Sequence, residues 1–281
     1  MNAIEIKGLS KSYDDFRLDN IEFVLPSGCI IGLVGENGAG KSTTIKLIMD
    51  AIKRDAGEVL VLGADNRSRE FQSLKEDIGV VLDEAYFPEV LNARNVNSIM
   101  KNTYRNWNEK QFSEFLTRFS LPLKKQFKDY SRGMKMKLAM AVALSHDPKL
   151  LILDEATSGL DPMVRDEILD IFNDFTRDEM HSVLLSSHIV SDLEKICDYI
   201  AFIHRGKLLF CMEKDRLLEE YGIVRMTKAD FEAIPAEAVK GKKVTNFGVE
   251  ALVLRDAVSS AITVERAGIE DIILYIAKGD K

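Results

Sequence analysis

Residues 35–42 read G-E-N-G-A-G-K-S and fit the pattern G-x-x-x-x-G-K-[ST]. An apolar, strand-sized run at 29–34 comes directly before this stretch, and residues 42–52 after it carry apolar side chains at helical spacing. A strand, a glycine-rich turn and a helix in this order form a cradle for phosphate groups. Glycine lets backbone N–H groups converge on one oxygen, and the start of the helix adds partial positive charge. A chance glycine-rich turn is disfavoured, because Lys41 and both flanking segments agree with the motif.

The residue types in this loop predict how a nucleoside triphosphate is held. Lys41 is predicted to contact the β- and γ-phosphates, and the hydroxyl of Ser42 is predicted to bind Mg²⁺. The residues predicted to bind the nucleotide here are Gly35, Asn37, Gly38, Ala39, Gly40, Lys41, Ser42 and Thr43. Lys41 is also a candidate catalytic residue, because a fixed positive charge stabilises charge that develops on the phosphates.

The rest of the chain predicts an α/β fold. Strand-sized apolar runs occur at 3–7, 21–25, 29–34, 59–62, 78–82, 150–153, 183–186 and 199–203. Buried strands that alternate with helical segments, such as 162–175 and 191–196, predict a mainly parallel sheet covered on both faces, with antiparallel strands at the N-terminus. Strand patterns disappear between about 84 and 146. There, helical spacing at 90–104, 109–119 and 132–144 predicts an inserted helical subdomain.

Length and composition predict two domains and a soluble class of protein. We expect one large domain at 1–218 and a small α+β domain at 222–281, since 281 residues exceed what one compact core needs. The 38 basic and 45 acidic residues give a net charge of −7, which argues against nucleic acid as a partner. No apolar run is long enough to span a bilayer, and the first residues do not resemble a signal peptide.

A second candidate motif lies at 150–155, where L-L-I-L-D-E forms an apolar run that ends in two carboxylates. Ligands in open α/β sheets bind at the carboxyl ends of strands. Asp154 is therefore predicted to hold Mg²⁺, largely through water, and Glu155 to orient and deprotonate the attacking water. Alone, the segment also fits a strand followed by an acidic turn.

Three further stretches narrow the class: Y-S-R-G-M at 130–134, S-G-L-D-P at 158–162 and L-L-S-S-H at 184–188. Together with the two motifs above, their order closely resembles the nucleotide-binding subunits of ATP-binding cassette (ABC) transporters. The resemblance covers about residues 1–218. It implies a P-loop fold, ATP and Mg²⁺ as ligands, and ATP hydrolysis coupled to transport.

The resemblance also assigns residues outside the phosphate loop. The family's signature L-S-G-G-Q matches Ser131 and Gly133, which would serve the ATP held by another subunit. Asp161, in S-G-L-D-P, is a further predicted nucleotide-binding residue. His188 matches the histidine that bonds the γ-phosphate or the attacking water, and Tyr13 matches the aromatic residue that stacks on adenine. Each of these residues also fits a purely structural role. Ser131 fits a helix-capping turn, His188 fits a structural histidine, and Tyr13 fits a tyrosine in an edge strand.

One position departs from the family. Asp83 stands where a glutamine is common. A carboxylate can bind Mg²⁺ or water but cannot donate hydrogen bonds as glutamine does. We include Asp83 among the candidate metal ligands. The acidic residue, together with Y-S-R-G-M, resembles the ATPases of exporters of antimicrobial peptides, antibiotics or related small amphiphiles.

The resemblance implies partners. Two subunits, identical or paralogous, would pair head to tail around ATP. A transmembrane permease on a separate chain would dock on the helical insertion, near 86–88 and Trp107, at the cytoplasmic face of the membrane. Trp107 also fits the core of the insertion. A soluble ABC ATPase acting on DNA or ribosomes is the alternative, and a regulatory protein without turnover is disfavoured by Glu155.

Overall fold

The structure is a computed structural model that describes residues 2–83, 87–246 and 248–279. Within these ranges the strands are β1 (Asn2–Ser12), β2 (Arg17–Pro26), β3 (Ile30–Val34), β4 (Ala56–Val61), β5 (Ala64–Asp65), β6 (Ile78–Val81), β7 (Leu150–Asp154), β8 (Ser182–Ser187), β9 (Tyr199–His204), β10 (Lys207–Glu213), β11 (Tyr221–Met226), β12 (Val239–Thr245), β13 (Gly248–Leu254) and β14 (Glu265–Arg266). The helices are α1 (Lys41–Ile48), α2 (Arg69–Leu74), α3 (Ala93–Thr103), α4 (Glu109–Arg118), α5 (Arg132–Leu144), α6 (Pro162–Phe175), α7 (Val190–Ile196), α8 (Lys214–Glu220), α9 (Lys228–Phe231) and α10 (Ile269–Gly279).

The central sheet has the strand order β10-β9-β3-β8-β7-β6. Strands β9, β3, β8, β7 and β6 run parallel, and β10 pairs antiparallel with β9. Every residue of β3, β7 and β8 is buried, as the continuous apolar runs predict for strands covered on both faces. A second sheet, β2-β1-β4-β5, is antiparallel. The predicted α/β class, with antiparallel strands at the N-terminus, is confirmed.

The two faces of the central sheet bury different layers. Along β7, Leu150 and Ile152 face a core shared with the antiparallel sheet and α1, whereas Leu151 and Leu153 face a core shared with α5, α6 and α7. This alternation follows from the two-residue period of a strand. The sheet therefore lies between two apolar layers that hold its strand ends in place.

Helix boundaries agree with the sequence patterns where caps define them. Helices α5 and α6 begin and end as predicted, with Ser131 and Asp161 as their N-caps. Helix α1 ends at Ile48, four residues before the predicted end, and Asp50 beyond it takes a φ of 51°. A helix cannot continue through that left-handed conformation.

The helical insertion comprises α3, α4 and α5. Trp107 is half-buried there, with its ring 5.1 Å from that of Phe112 and its Nε1 donating to Asn97 Oδ1 at 2.8 Å. The indole therefore contributes to the packing of the insertion. The first residues of the predicted insertion, including Tyr86, lie outside the described residues. No helix in the described part of the chain combines the length and apolarity needed to cross a bilayer.

A third sheet, β12-β13-β11-β14, forms with α10 at the end of the chain. Part of its apolar core is continuous with the first part of the molecule, because Ile269 and Ile272 of α10 join the same apolar cluster as Leu193 of α7. The sheet also has a separate cluster of its own, which includes Val224 and Val253. The Ile269 N–H also donates to Glu194 Oε1 at 2.8 Å. The division into domains at 1–218 and 222–281 stays a prediction.

Candidate active site

The predicted site residues follow strands whose carboxyl ends meet at one edge of the central sheet. In the parallel register, Val34 of β3 lies beside Ser187 of β8, and Asp154 of β7 lies beside Ser186. The phosphate loop follows β3, His188 follows β8, and Glu155 follows β7. Sheet topology therefore brings together groups that are more than a hundred residues apart in sequence.

The loop between β3 and α1 holds Lys41 in a buried position. This side chain is 5% exposed, and its Nζ donates to the carbonyl oxygens of Gly35 at 2.8 Å and Glu36 at 3.3 Å. Gly40 has a φ of 117°, and a Cβ there would lie 2.7 Å from Leu18 Cδ1. Only glycine fits at that position, so the backbone can turn tightly into α1.

The remaining residues of the loop differ in exposure. Gly35, Ala39 and Gly40 are buried, Thr43 is half-buried, and Asn37, Gly38 and Ser42 face solvent. A Cβ built on Gly38 would meet no atom within 4 Å. The outer surface of the loop is therefore open to a ligand.

Glu155 is the centre of a cluster with Lys41 and His188. Its Oε2 accepts a hydrogen bond from His188 Nδ1 at 2.7 Å, and its Oε1 lies 3.2 Å from Lys41 Nζ in an ion pair. The backbone of Glu155 has a φ of 52°, which non-glycine residues rarely adopt, and its N–H donates to Ser186 O at 3.0 Å. The structure thus brings the three predicted catalytic residues into contact, and the unusual backbone directs the carboxylate toward the lysine and the histidine.

Asp154, at the end of β7, is buried at 5% exposure. Its Oδ1 has no hydrogen-bond partner within the described protein atoms. A buried carboxylate oxygen without a partner is costly unless a cation or a bound water satisfies it. No group of three or more His, Cys, Asp or Glu side chains in the described ranges is arranged to hold a metal ion.

Tyr13 lies just beyond β1 and is 48% exposed. Its ring centroid is 6.5 Å from that of Phe16, and Lys11 Nζ is 5.6 Å from the centroid of the Tyr13 ring. The ring therefore has a free face, as an adenine platform requires. Its role toward a nucleotide stays a prediction.

A groove of about 430 Å³ lies beside the phosphate loop, and Phe16, Gly38 and Arg205 contribute to its lining. Sequence reasoning missed Phe16 and Arg205, which belong to no local motif and reach the loop only through tertiary packing. A larger groove of about 920 Å³ lies at the opposite edge of the sheet, lined by Pro148 before β7 and His181 before β8. We do not regard it as the catalytic site, because the predicted residues line the other edge.

Two predicted nucleotide-binding residues are exposed helix caps: Ser131, which was predicted to face another subunit, and Asp161. Ser131 Oγ accepts from Met134 N at 3.3 Å, and Asp161 Oδ1 accepts from Val164 N at 3.1 Å. A Cβ on half-buried Gly133 would lie 3.8 Å from the nearest atom, in Val164. Within one chain, Ser131 thus caps α5, which is the structural alternative to a role in nucleotide binding. Its action on the nucleotide of a second chain stays a prediction.

Asp83 is exposed and lies two residues beyond β6. Its Oδ1 accepts from Arg132 Nη2 at 2.9 Å. Its assignment as a metal ligand stays a prediction.

The other histidines have structural surroundings. His146 stacks on Tyr104 with the ring centroids 4.0 Å apart, and burial lowers the pKa of its imidazole. His181 stacks on Phe175 at 4.5 Å. The buried His204 belongs to no sequence motif, yet its Nδ1 lies 3.2 Å from Glu36 Oε1 in the phosphate loop. This contact comes from the pairing of β9 with β3, which no local motif reveals.

The fold and this edge of the sheet define a P-loop nucleotide hydrolase. The family model described as ABC transporter matches residues 18–158, and the chain belongs to this family. It is 34% identical over 215 residues to the lantibiotic transport ATP-binding protein SrtF of Streptococcus pyogenes, across 75% of this chain and 91% of the relative. It is 33% identical over 209 residues to the bacitracin transport ATP-binding protein BcrA of Bacillus licheniformis, across 73% of this chain and 68% of the relative.

Comparison with solved structures agrees with this family assignment. An ATP-binding subunit of an ABC transporter superposes with a TM-score of 0.69 at 26% identity, over 76% of this chain and 91% of the other. The chain is an ATP-binding subunit with the ATPase activity of its family. Subunits of this family work with membrane subunits and pair as dimers. The comparisons support this transport function over the alternative of a soluble ATPase on DNA or ribosomes.

Proposed function

We propose that this chain powers an exporter of a peptide or small amphiphile through a membrane-spanning permease on a separate chain. The main support for ATP hydrolysis as the energy source is the contact of Glu155 with both Lys41 and His188 at the end of β7. The choice of cargo is supported by the relatives SrtF and BcrA, which are named for lantibiotic and bacitracin transport.

Each member of the Glu155 cluster has a distinct task in hydrolysis. Lys41 Nζ exchanges Glu155 Oε1 for phosphate oxygens when ATP binds, because a triphosphate carries more negative charge than one carboxylate. The released Glu155 accepts a proton from the attacking water. His188 keeps its hydrogen bond to Oε2 and so orients the carboxylate, while its half-exposed ring is available to the γ-phosphate.

The residues present fit a bound Mg²⁺. Asp154 offers a buried carboxylate oxygen without a partner, and Ser42 offers an exposed hydroxyl at the start of α1. Hard oxygen ligands of this kind, completed by water and phosphate, are those that Mg²⁺ prefers. When bound, the ion would neutralise charge on the phosphates. Asp83 was the third predicted ligand, but its Oδ1 accepts a hydrogen bond from Arg132 Nη2.

We infer that two copies, or this chain and a paralogue, pair head to tail. The exposed caps Ser131 and Asp161, together with Gly133, would then face the ATP that the phosphate loop of the other copy holds. The exposure of both cap residues supports this arrangement, since a hydroxyl and free N–H groups at a helix start attract phosphate. Tyr13 would stack on adenine in the copy that holds the nucleotide.

The permease would dock on the helical insertion of the proposed ATP-binding domain at 1–218. Val90, at 68% exposure, lies two residues after the segment 86–88 where docking was predicted, and an apolar side chain so exposed suits an interface. The subunit would then lie peripherally on the inner face of the membrane. We propose 222–281 as the accessory domain.

Co-purification tests the transport function. The chain is expressed together with a candidate multi-span membrane protein from the same cells, and the complex is extracted in detergent. We expect the two to copurify and to hydrolyse ATP faster when bacitracin, the probe, is added to the complex in liposomes. The Glu155→Gln complex is the control for turnover. Copurification with ribosomal RNA or duplex DNA in place of a membrane protein would contradict the proposal.

A further inference from the structure

Two charged side chains at the edge of the site, Arg132 and Asp83, are bonded to each other. Arg132 is the first residue of α5, directly after Ser131, and Asp83 lies two residues beyond β6. We propose that Arg132 is a positioning residue that, with Asp83 as its counter-ion, sets the orientation in which Ser131 is presented to the second copy. The inference rests on the head-to-tail pairing proposed above.

The guanidinium of Arg132 makes a second contact, with Gly159. A Cβ built on Gly159 would lie 2.8 Å from Arg132 Nη1 and 3.0 Å from Cζ, so the glycine surface is covered by the guanidinium. Gly159 has a φ of 66°, a conformation that glycine adopts without strain. It belongs to the loop that joins Glu155 to Asp161. Arg132 thus touches two separate segments that leave the same edge of the sheet.

The next residue lies beside the same region. A Cβ on Gly133 would lie 3.8 Å from Val164 and 4.0 Å from Leu160, so the first turn of α5 runs alongside the start of α6 with room for a small side chain between them. The turn that carries Ser131 is therefore held by the ion pair to Asp83 and by the contact with Gly159. Because these contacts reach segments that leave β6 and β7, they connect the turn to that edge of the sheet.

The charge pair contributes little to the stability of the single chain. The side chains of Arg132 and Asp83 are 53% and 52% exposed, and exposed charge pairs contribute little to stability because water and salt screen them. Their effect lies in the direction of the first turn of α5. We therefore expect loss of the pair to weaken dimer formation while ATP binding to the monomer is unchanged.

This role differs from a metal-ligand role for Asp83. A ligand of Mg²⁺ would act in the copy that holds the nucleotide, and its loss would raise the Mg²⁺ concentration needed for hydrolysis. A counter-ion of Arg132 acts through Ser131, and its loss leaves that concentration unchanged. If Asp83 acts only as the counter-ion of Arg132, then removing Asp83 does not weaken the dimer further once Arg132 has been removed.

The test is a double-mutant cycle in the full chain carrying Glu155→Gln, so that ATP is bound but not consumed. Dimer dissociation constants with ATP are measured by sedimentation for Arg132→Ala, Asp83→Ala and the double variant. We expect each single change to weaken the dimer about fivefold, at the upper end for an exposed charge pair, and the double variant to be no weaker than either. Arg132→Lys, which keeps the charge, should retain most of the affinity.

Three measurements accompany the cycle. ATP affinity of the monomer, followed with a fluorescent ATP analogue, should be the same in all variants. The Mg²⁺ dependence of hydrolysis, measured with Glu155 intact, should not shift in Asp83→Ala. The matched control is Lys101→Ala, which removes an exposed ion pair to Glu109 in the same helical insertion and should leave the dimer unchanged.

The possible failures are distinguishable. Single effects that multiply in the double variant, or a raised Mg²⁺ requirement in Asp83→Ala, would overturn the positioning role alone. If the parent chain forms no dimer with ATP, either with itself or with a paralogue, both the pairing and this inference are wrong.

Discussion

The phosphate loop at 35–42 and the signature turn at 130–134 place their key side chains in opposite environments. Lys41 is buried and bonded to its own loop and to Glu155, whereas Ser131 is exposed and, among the residues that the structure describes, is bonded to the helix that it caps. The first region has its partners within one chain. The second ends at the surface with a hydroxyl and helix N–H groups toward solvent.

This difference indicates that the phosphate loop acts within one chain and that the signature turn acts where two chains meet. A buried, charged cluster is preorganised for chemistry, because its groups need not reorganise when charge develops in the transition state. An exposed cap contributes to catalysis only when another surface covers it. We therefore expect changes at the loop and at Glu155 to abolish turnover, and changes at the signature turn to weaken pairing.

The largest expected effect is at Glu155. Glu155→Gln removes the proposed base and should slow ATP hydrolysis about a thousandfold, within the range for loss of a general base. Dimers with ATP should persist, because the amide keeps the shape of the side chain. Phosphate release and sedimentation measure the two outcomes. Undiminished hydrolysis, or failure to form dimers with ATP, would show that the proposed mechanism is wrong.

Lys41→Ala should come next, with a loss of about 3 kcal/mol in transition-state stabilisation, or roughly a hundredfold in rate. ATP binding should also weaken, because the phosphates lose a buried cation. The measurement is the rate of hydrolysis against ATP concentration. Lys46→Ala, which removes an exposed lysine from the same helix, is the matched control and should behave as the parent.

Ser131→Ala should cost about 2 kcal/mol in dimer affinity, the value of one hydrogen bond to a charged group. Its monomer should bind ATP normally. Ser68→Ala removes the equivalent cap of α2, whose Oγ accepts from Phe71 N at 3.2 Å, and so separates loss of a cap from loss of pairing. Equal dimer affinities for the two variants would show that Ser131 only caps its helix.

The smallest effect concerns the far end of the signature helix, where His146 follows α5 and stacks on Tyr104. Burial lowers its pKa, so the unfolded chain binds the proton more readily, and stability is lost as pH falls below about 6.5. His146→Phe keeps the stacking without titrating. Urea unfolding between about pH 7.5 and 5.5 should show a shallower loss for the variant than for the parent chain.

Local patterns were sufficient for the phosphate loop and for the strand before Glu155. Glycines, a lysine and an apolar run act through nearest neighbours in the chain, so their spacing reveals the structure that they form. The same holds for α5 and α6, whose boundaries depend on the caps Ser131 and Asp161. The end of α1 was predicted four residues too late, because apolar spacing continues past the left-handed Asp50.

Contacts between distant segments were not predictable in this way. Asp83 was considered only as a metal ligand, and its bond to Arg132 depends on how the loop after β6 meets the start of α5. His204 reaches Glu36 only because β9 lies beside β3. A residue's charge indicates that it needs a partner, but only the packing of the sheet and helices decides which partner it has.

The sequence by itself determined the class of this protein, because the groups that hold a triphosphate must follow one another at fixed spacing along the backbone. Only the tertiary structure decided that Glu155 lies between Lys41 and His188, and that Arg132 ties Ser131 to Asp83 and Gly159. These side chains belong to different segments, and the order and register of the strands set the distances between them.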